Sequence, residues 1–380
     1  MRAAAIPVQR LEIGAFGGPE VLRVVRDAVL PEPGPGEVRI RVEASSLAFT
    51  DTLIRRNLYP GLTSALPLTL GYDIVGRVDG VGPDVAQWHV GDRVADLVQV
   101  GGNATHLVRP ATSLVAVPQT LDAVRVEPLI LTYMTAYQAL FFEGDAKSGD
   151  DVLIYGASGA VGHAALDLCR AFGVRAVGVA SAKHEDVVTR MGATFVAYDR
   201  PDASAALDRL SRDVKGFRVI LDAARGEALS SVLTRLAPDG RLVALGFSAA
   251  FRAAHRASNA RPGLLAKLRL AFDFLRIQWL SSRPGTARRV IFYDISKRRT
   301  RHPEWFRADL TMLFTLLEQG RISPHIQRVF GLADAVEAHR LMDAGQVEGR
   351  FVLDLAPRDR PRPRSPAPSV ARAPAPGVGG

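Results

Sequence analysis

Three glycines spaced three residues apart mark the segment of this chain with the clearest chemistry. They lie in residues 156–162, GASGAVG, between an apolar run ending at Tyr155 and a predicted helix. Aligned on the dinucleotide-binding fingerprint, Gly159 would let the backbone approach a pyrophosphate at the helix N-terminus, and Gly162 would let that helix pack closely on the strand. A strand, a glycine turn and a helix within about 30 residues are the context that this motif requires. We therefore expect a dinucleotide here, held by five residues of the turn: Ala157, Ser158, Gly159, Ala160 and Val161.

The end of the next strand indicates which dinucleotide binds. Sites for NAD usually present an aspartate or glutamate to the ribose 2′-hydroxyl about 20 residues after the glycines. This chain has Ser181 and Lys183 in that region instead. A hydroxyl and an ammonium group both suit a 2′-phosphate, to which they donate charge-assisted hydrogen bonds. The sequence thus favours NADPH, with the alternative that Lys183 is a solvated residue at a helix start.

The distribution of charge argues against a nucleic-acid partner. The net charge is +9, yet residues 252–301 alone carry +11 and residues 356–380 carry +4, so the remainder is mildly acidic. Basicity confined to two segments does not indicate a protein that binds polyanions over its whole surface. The single cysteine, Cys169, excludes an intrachain disulfide and a cysteine-rich zinc lobe.

The elements around the glycines predict an α/β protein of two domains. Residues 1 to about 135 alternate apolar and polar positions between Gly-Pro turns, which predicts an antiparallel β unit. From about residue 135, strands alternate with helices, which predicts a parallel sheet covered by helices on both faces. No run approaches about 20 apolar residues and the N-terminal apolar run is too short for a signal peptide, so we expect a cytoplasmic protein. Residues 358–380, rich in proline and arginine, are predicted to be disordered.

The chain resembles the zinc-free quinone oxidoreductase branch of the medium-chain dehydrogenase/reductase superfamily, including relatives of the vesicle amine transport protein. The resemblance extends to about Leu355 and depends on FGGPEVLRV, LPLTLGYDIVGRVDGVGPDV, LTYMTAYQAL, the glycine turn and GRISPHI. It implies a GroES-like catalytic domain over residues 1–135, completed by residues 301–357. It also implies a Rossmann NADPH-binding domain with a doubly wound parallel sheet over residues 136–300, and an active site in the cleft between the two.

The two motifs that hold zinc in other branches of the superfamily lack their ligands here. The zinc-dependent branch places a cysteine two residues before the Thr-Asp of its first motif and a histidine in Gly-His-Glu. This chain has Ala48 and Phe49 before Thr50-Asp51, and its second motif reads Gly71-Tyr72-Asp73. With no cysteine or histidine at these positions, we expect no catalytic zinc. The reaction that remains is hydride transfer to a quinone or an α,β-unsaturated carbonyl.

The resemblance also implies site residues in the segment LAFTDTLIRRNLYP. Asp51 would orient the nicotinamide pocket, Phe49 would line it, and Tyr59 would donate a hydrogen bond to the acceptor oxygen. From the residues alone, Asp51 is equally suited to cap the helix that begins there, and Tyr59 is equally suited to anchor a loop. The branch usually has an asparagine where this chain has Ala48.

Further cofactor contacts follow from the resemblance. Thr135 and the pair Gly246 and Phe247 would approach the nicotinamide, and Tyr198 would lie beside the 2′-phosphate. Ordinary strand-end packing is the alternative for Tyr198. His163, on the first turn of the helix after the glycines, is expected to be a packing or surface residue.

A basic insertion at about residues 250–285 distinguishes this chain from the compact quinone reductases. Apolar residues recur there at helical spacing: Leu264, Leu268, Phe272, Leu275 and Trp279. Such a helix suits three roles, namely a cover for the pocket, a contact between the subunits of a homodimer, or a weak contact with an anionic membrane surface. Beyond it, SKRRTR at residues 296–301 is predicted to be a solvated loop, or else a phosphate contact.

These observations predict an NADPH-dependent, zinc-independent reductase acting on a small carbonyl or quinone substrate. An enoyl reductase of a biosynthetic pathway is the alternative within the same class. A weakly active, NADPH-binding membrane-associated or adaptor protein is the alternative outside it.

Overall fold

The structure, a computed structural model, describes residues 6–59, 62, 65–223, 228–245, 279 and 289–356. Within these residues, sixteen strands form three sheets. The strands are β1 (Ile6–Ile13), β2 (Leu22–Leu30), β3 (Glu37–Leu47), β4 (Leu68–Thr69), β5 (Asp73–Val81), β6 (Arg93–Leu97), β7 (His106–Pro110), β8 (Val115–Ala116), β9 (Asp151–Tyr155), β10 (Arg175–Ala180), β11 (Thr194–Ala197), β12 (Phe217–Asp222), β13 (Leu236–Leu245), β14 (Arg289–Tyr293), β15 (Ile326–Phe330) and β16 (Arg350–Asp354).

The helices surround the sheets and connect their strands. They are α1 (Phe49–Arg55), α2 (Ala123–Pro128), α3 (Met134–Tyr137), α4 (Ala160–Phe172), α5 (Glu185–Arg190), α6 (Ala203–Asp213), α7 (Leu229–Thr234), α8 (Ile295–Arg301), α9 (Pro303–Glu318) and α10 (Ala335–Asp343). Wider π-helical turns at Leu129–Tyr133 and Gln138–Glu143 extend the helical run before and after α3. Short 3₁₀ turns lie at Pro19–Val21, Ala111–Ser113, Ala182–His184 and Leu332–Asp334.

Six parallel strands form the sheet that carries the glycine turn. Their order is β11-β10-β9-β12-β13-β14, so the chain runs outward from β9 to one edge and then returns to build the other half. Val152, Leu153 and Ile154 of β9 are fully buried, because helices cover both faces of the sheet. The predicted doubly wound parallel sheet is confirmed. Its strand order reverses between β9 and β12, which opens a crevice at their carboxyl ends.

Strands from both ends of the chain form the seven-stranded sheet. Its order is β15-β16-β3-β5-β6-β8, with β7 also paired to β3, and β1, β2 and β4 form a small separate sheet. The pairs are antiparallel except for β15 and β16. The β-rich unit is therefore confirmed, and β15 and β16 show how the C-terminal segment joins it. The domain boundaries at residues 135 and 300 stay a prediction.

The segment predicted as a solvated loop, SKRRTR, is helical, and that prediction is wrong. Asp294 caps α8 by accepting hydrogen bonds from the N–H groups of Ser296 and Lys297, at 3.0 and 3.1 Å. Arg299 donates to the carboxylate of Asp96 and to carbonyl oxygens of the β-rich unit. Arg298 pairs with Glu143. Two of the four charges, those of Arg298 and Arg299, are thus paired with acidic residues remote in sequence, which local composition does not reveal.

The other predictions on the basic region fall largely outside the described residues. Of the apolar stripe, the structure describes Trp279, which is half exposed. The remainder of the insertion and the proline-rich tail lie outside the described ranges. Among the residues that are described, no helix combines the length and apolar character needed to cross a membrane.

Candidate active site

The glycine turn begins at the carboxyl end of β9, beside β10. The N–H groups of Gly156 and Ala157 both donate to the carbonyl oxygen of Val179, at 3.0 Å. A Cβ at Gly162 would lie 2.1 Å from the carbonyl oxygen of Gly156 and 2.7 Å from the Cα of Ala157. This close approach explains why the helix can begin so near the strand, and it is the packing that the fingerprint predicted for Gly162.

Gly159 has a different environment from Gly162. It is the residue before α4, and a Cβ there would meet Gly156 O at an ordinary 3.4 Å. The surrounding protein therefore does not require a glycine at this position, whereas a bound pyrophosphate would. The first N–H groups of α4 have no carbonyl in a preceding helical turn, and the helix dipole favours an anion at this end of the helix.

The predicted turn residues differ in what they expose. Ala157 is fully buried, so a cofactor would meet its backbone, while Ser158, Ala160 and Val161 are partly exposed. The carbonyl oxygen of Ser158 accepts a hydrogen bond from the N–H of Gly349, just before β16. The last strand of the β-rich sheet thus contacts the turn directly.

The residues predicted for the 2′-phosphate converge at one edge of the parallel sheet. Ser181 follows β10 and Tyr198 follows β11, and the N–H of Tyr198 donates to the carbonyl oxygen of Ala180 at 2.9 Å. Tyr198 is 50% exposed. Lys183 is exposed on the 3₁₀ turn that starts after Ser181.

A carboxylate that the sequence reasoning missed lies in the same place. Both carboxylate oxygens of Asp199 accept from the N–H of Ala182, at 3.0 and 3.2 Å. The carboxylate of Asp199 thus accepts from the backbone N–H of Ala182, the residue between Ser181 and Lys183. The signal was present in the sequence, because Asp199 directly follows Tyr198, which had been singled out.

Asp51 lies at the start of α1 with its carboxylate fully buried. Its oxygens accept hydrogen bonds from the N–H groups of Ala48, at 2.8 Å, and Gly71, at 3.1 Å. Burial raises the pKa of Asp51 to about 6, while the two backbone hydrogen bonds oppose the shift. The structure thus supports the helix-start role, and Asp51 also connects the backbones of the two motifs, while its role in orienting a nicotinamide stays a prediction.

The other predicted residues near the nicotinamide differ in exposure. Phe49, on the first turn of α1, is 40% exposed. Thr135 is largely buried on α3, which packs beside α4. Gly246 and Phe247 lie outside the described residues.

Tyr59 belongs to a row of hydrogen-bonded side chains. Its hydroxyl lies 2.8 Å from that of Tyr72, and the Tyr72 hydroxyl lies 3.0 Å from Oγ of Ser296. The side-chain amide of Gln99 donates to the same Oγ. Burial, reinforced by the neighbouring Tyr72, raises the pKa of Tyr59 far above its ordinary value, so this phenol keeps its proton and can donate it in a hydrogen bond.

A small pocket lies beside Tyr59. Its other lining residues are apolar apart from one asparagine: Phe16, Ile54, Asn57, Leu62 and Leu68. Tyr59 therefore presents a polar group at the edge of an apolar wall.

A buried charge cluster ties the second motif to β16. Arg350 donates to Glu127 at 2.5 Å and to Asp73 at 3.4 Å, and all three side chains are buried. Burial lowers the pKa of Arg350, but the two carboxylates more than compensate and raise it. Because removing one partner would leave buried charge unpaired, this cluster fixes β16 against the site.

The described residues contain no group of three or more histidine, cysteine, aspartate or glutamate side chains suited to hold a metal ion. At the two motif positions the structure has Ala48 and Tyr72, both buried. Cys169 is buried in the interior of α4, and burial raises the pKa of its thiol to about 12. Its side chain thus belongs to the core of the parallel-sheet unit.

A doubly wound sheet with this turn, joined to a β-rich unit across a crevice, defines a dinucleotide-dependent oxidoreductase. The family model of the alcohol dehydrogenase GroES-like domain matches residues 34–119, and that of zinc-binding dehydrogenases matches residues 191–353. The chain belongs to the medium-chain dehydrogenase/reductase superfamily, and its relatives are consistent with the quinone oxidoreductase branch. This superfamily uses a nicotinamide cofactor.

Individual relatives cover most of the chain. The synaptic vesicle membrane protein VAT-1 homolog of Rattus norvegicus is 30% identical over 359 residues, which cover 93% of this chain and 85% of that protein. The quinone oxidoreductase of Pseudomonas aeruginosa is 30% identical over 91% of this chain and 99% of its own. Among solved structures, the quinone oxidoreductase of Pseudomonas syringae pv. Tomato DC3000 has a TM-score of 0.74 and 25% identity, over 91% of this chain and 99% of its own.

Proposed function

We propose that this chain transfers hydride from NADPH to a quinone or an α,β-unsaturated carbonyl, without a catalytic metal ion. The observation that carries the proposal is the phenol pair at the second motif. Tyr72 stands where the zinc-dependent branch has a histidine ligand, and its hydroxyl binds that of Tyr59 beside an apolar pocket. The site thus offers a neutral hydrogen-bond donor in place of a Lewis acid.

The cofactor half of the proposal depends on the convergence of Ser181, Lys183 and Tyr198 at one sheet edge. The glycine turn would hold the pyrophosphate, and the exposed Lys183 and Tyr198 would meet the 2′-phosphate. When bound, the reduced nicotinamide supplies a hydride, which places negative charge on the oxygen of a conjugated acceptor.

Residues of this chain would then stabilise that oxygen. A hydrogen bond from Tyr59 strengthens as charge develops, so it lowers the barrier more than it tightens substrate binding. The carboxylate of Asp51 accepts hydrogen bonds from the N–H groups of Ala48 and Gly71 and thereby keeps the first and second motifs in fixed positions relative to each other. A mostly apolar pocket wall excludes water from the reacting groups.

Stopped-flow measurement tests the proposal. Oxidation of NADPH and NADH is followed against a panel of quinones, enones and enoyl thioesters, with products identified and with a chelator present in a parallel series. We expect turnover with NADPH preferred and with no loss on chelation. Tight NADPH binding without turnover would instead favour a binding protein, and activity lost to the chelator and restored by zinc would contradict the metal-free mechanism.

The cytoplasmic location, the homodimer and the weak membrane-surface contact stay predictions from the sequence. Light scattering of the purified chain tests the dimer. Co-sedimentation with anionic vesicles tests the membrane contact.

A further inference from the structure

The hydroxyls of Tyr59, Tyr72 and Ser296 form a continuous row that connects distant parts of the chain. Consecutive oxygens lie 2.8 and 3.0 Å apart, although Tyr72 and Ser296 are 224 residues apart in sequence. Tyr72 is 1% exposed, while Tyr59 and Ser296 at the two ends are partly exposed. The row therefore passes through the protein interior and reaches accessible space at both ends.

We propose that these three side chains form a hydroxyl relay in which Ser296 and Tyr72 orient Tyr59 and return a proton to it, with Gln99 holding Ser296 by a donated hydrogen bond. The inference rests on the proposed function, because Tyr59 is taken to face the acceptor oxygen. Tyr72 and Ser296 act through Tyr59 and are thus positioning residues.

The proposed direction of the relay starts from the one bond whose donor is fixed. The amide nitrogen of Gln99 has hydrogens and no free lone pair, so it donates to Oγ of Ser296. Either hydroxyl of each pair can be the donor, and in the proposed relay Ser296 donates to Tyr72 and Tyr72 donates to Tyr59. This arrangement leaves the hydrogen of Tyr59 for the acceptor oxygen. Hydrogen bonds aligned in this way polarise one another, more so where water is excluded.

Gln99 is held in an unusual conformation that suits this role. Its φ is +66°, in the left-handed region that non-glycine residues seldom adopt. Its N–H also donates to the carbonyl oxygen of Tyr72 at 2.9 Å. Gln99 thus holds the backbone of Tyr72 and the hydroxyl of Ser296. The need to contact both explains why Gln99 has a strained backbone conformation.

Ser296 is held from two sides. Its N–H is bonded to Asp294, the cap of α8, which directly follows the parallel strand β14. Three residues on, Arg299 anchors the same helix to Asp96 and to the carbonyl oxygens of Leu97 and Ser113. The relay thus connects Ser296, on the helix that follows the parallel sheet, to Tyr72 and Gln99 in the β-rich unit. It therefore depends on a constant distance between these two parts of the structure.

The proton step balances without a further reactant. After hydride transfer the acceptor oxygen carries one negative charge. The O–H bond of Tyr59 breaks and its proton joins that oxygen, while the Tyr72 proton moves to Tyr59 and the Ser296 proton moves to Tyr72. Water at the partly exposed Ser296 supplies the last proton and becomes hydroxide, so each hydroxyl is restored and nothing is oxidised or reduced in this step.

Substitutions that delete one hydroxyl test the relay. Tyr72→Phe keeps the buried ring and removes the hydroxyl. We expect kcat to fall about tenfold, because one hydrogen bond is lost in a desolvated site. The Kd for NADPH should not change. The solvent deuterium isotope effect on kcat should also shrink. Ser296→Ala should act in the same way, and Ser296→Thr should restore activity because it keeps a hydroxyl. Tyr137→Phe, which removes a phenol among Phe141 and Phe172, is the matched control.

A readout independent of turnover separates this inference from the proposed function. 4-Nitrophenol, in the presence of oxidised cofactor, mimics an acceptor oxygen that carries charge. A relay that directs the Tyr59 hydrogen outward should lower the pKa of the bound nitrophenol in the wild type, and by less in Tyr72→Phe. That pattern in a chain that reduces no acceptor would support the relay and refute the function. Reduction with full kcat and an unchanged isotope effect in Tyr72→Phe would refute the relay and leave the function standing, and an unshifted titration in the wild type would also overturn the relay.

Discussion

Tyr59 combines partial exposure with a hydroxyl bonded to a buried partner. Its pKa is raised by burial, so at neutral pH it acts as a hydrogen-bond donor and not as a base. A group of this kind stabilises an oxygen that gains charge during the reaction. Its contribution should therefore appear in kcat.

Tyr59→Phe tests this directly. We expect kcat to fall about tenfold to a hundredfold, the range for one neutral donor, while the Kd for NADPH holds. Steady-state kinetics with each accepted substrate and a cofactor titration give the two numbers. If the variant kept full kcat with every substrate, Tyr59 would only line the pocket and would not stabilise the acceptor oxygen.

Lys183 provides a second prediction at this scale. Lys183→Ala should weaken NADPH binding by about 1 to 3 kcal/mol, the range for a charge-assisted hydrogen bond, and should barely alter the affinity for NADH. Lys147→Ala is the control, because Lys147 is exposed near the opposite end of β9. Calorimetric titration with both cofactors measures the difference. Equal losses for both would mean that Lys183 does not contact the phosphate.

Under the proposed function, the negative charge of Asp199 would oppose the binding of the 2′-phosphate at the same edge of the sheet. Asp199→Asn removes a negative charge but keeps an oxygen that can accept from the N–H of Ala182. We expect NADPH to bind about two- to fivefold more tightly, the small effect typical of an exposed charge, with NADH unchanged. Competitive binding of the two cofactors measures the ratio. A loss of NADH affinity with no gain for NADPH would instead show that Asp199 contacts an unphosphorylated ribose.

At the scale of elements, the two glycines at the junction of β9 and α4, Gly159 and Gly162, have different environments. A side chain at Gly162 would overlap the backbone at Gly156, whereas one at Gly159 would meet ordinary contacts. The fold thus constrains Gly162, and under the proposed function a bound pyrophosphate would constrain Gly159. Variants at the two positions should separate stability from binding.

Gly162→Ala should lower the free energy of unfolding by about 1 to 3 kcal/mol through overpacking. Gly159→Ala should lower the free energy of unfolding by at most about 1 kcal/mol, because alanine is a poor residue at a helix start. It should strongly reduce the affinity for both cofactors. Gly14→Ala, where no atom lies within 4 Å of the added Cβ, is the control. Chemical denaturation and cofactor titration distinguish the two effects. Equal stability losses at Gly159 and Gly162 would contradict the assignment.

The elements also show what a single sequence reveals and what it conceals. The glycine turn and its strands were predictable because their signals are local: periodicity, glycine spacing and a helix start within 30 residues of each other. Helix α8 was not, since four positive charges in six residues look like solvent-facing sequence. Arg298 and Arg299 are partly buried and pair with Glu143 and Asp96, 155 and 203 residues away in the chain. The Tyr72–Ser296 bond was concealed for the same reason, because tertiary proximity creates it.

At the scale of the whole molecule, His163 contacts a segment far along the chain. It is buried on α4, and its ring stacks on that of His325 at 4.7 Å between centroids. Burial, together with His325, lowers its pKa to about 4, although Asp167 and Glu348 oppose the shift. The packing prediction from the sequence thus fits the structure, and the contact should respond to pH.

The sign of that response follows from linkage. The unfolded chain binds a proton at His163 below about pH 6.5, whereas the folded chain does so only near pH 4, so this residue's contribution to stability is lost as the pH falls through that window. His163→Leu should therefore reduce the slope of unfolding free energy against pH there, by at most about 1.4 kcal/mol per pH unit. Urea unfolding at several pH values measures the slope.

The pairing of β3 with β16 has a consequence for how the protein is made. Leu47, Ser46, Ser45 and Ala44 lie opposite residues 351–354, so this part of β3 acquires its neighbour only when the ribosome has added the last described strand. Meanwhile the intervening parallel sheet, continuous between residues 151 and 293, is free to fold as it emerges. During that interval the nascent chain presents the unpaired edge of β3, a template for aberrant strand addition. Chaperone dependence during synthesis should thus be greatest for chains halted just before residue 350, and should fall sharply once Asp354 has emerged.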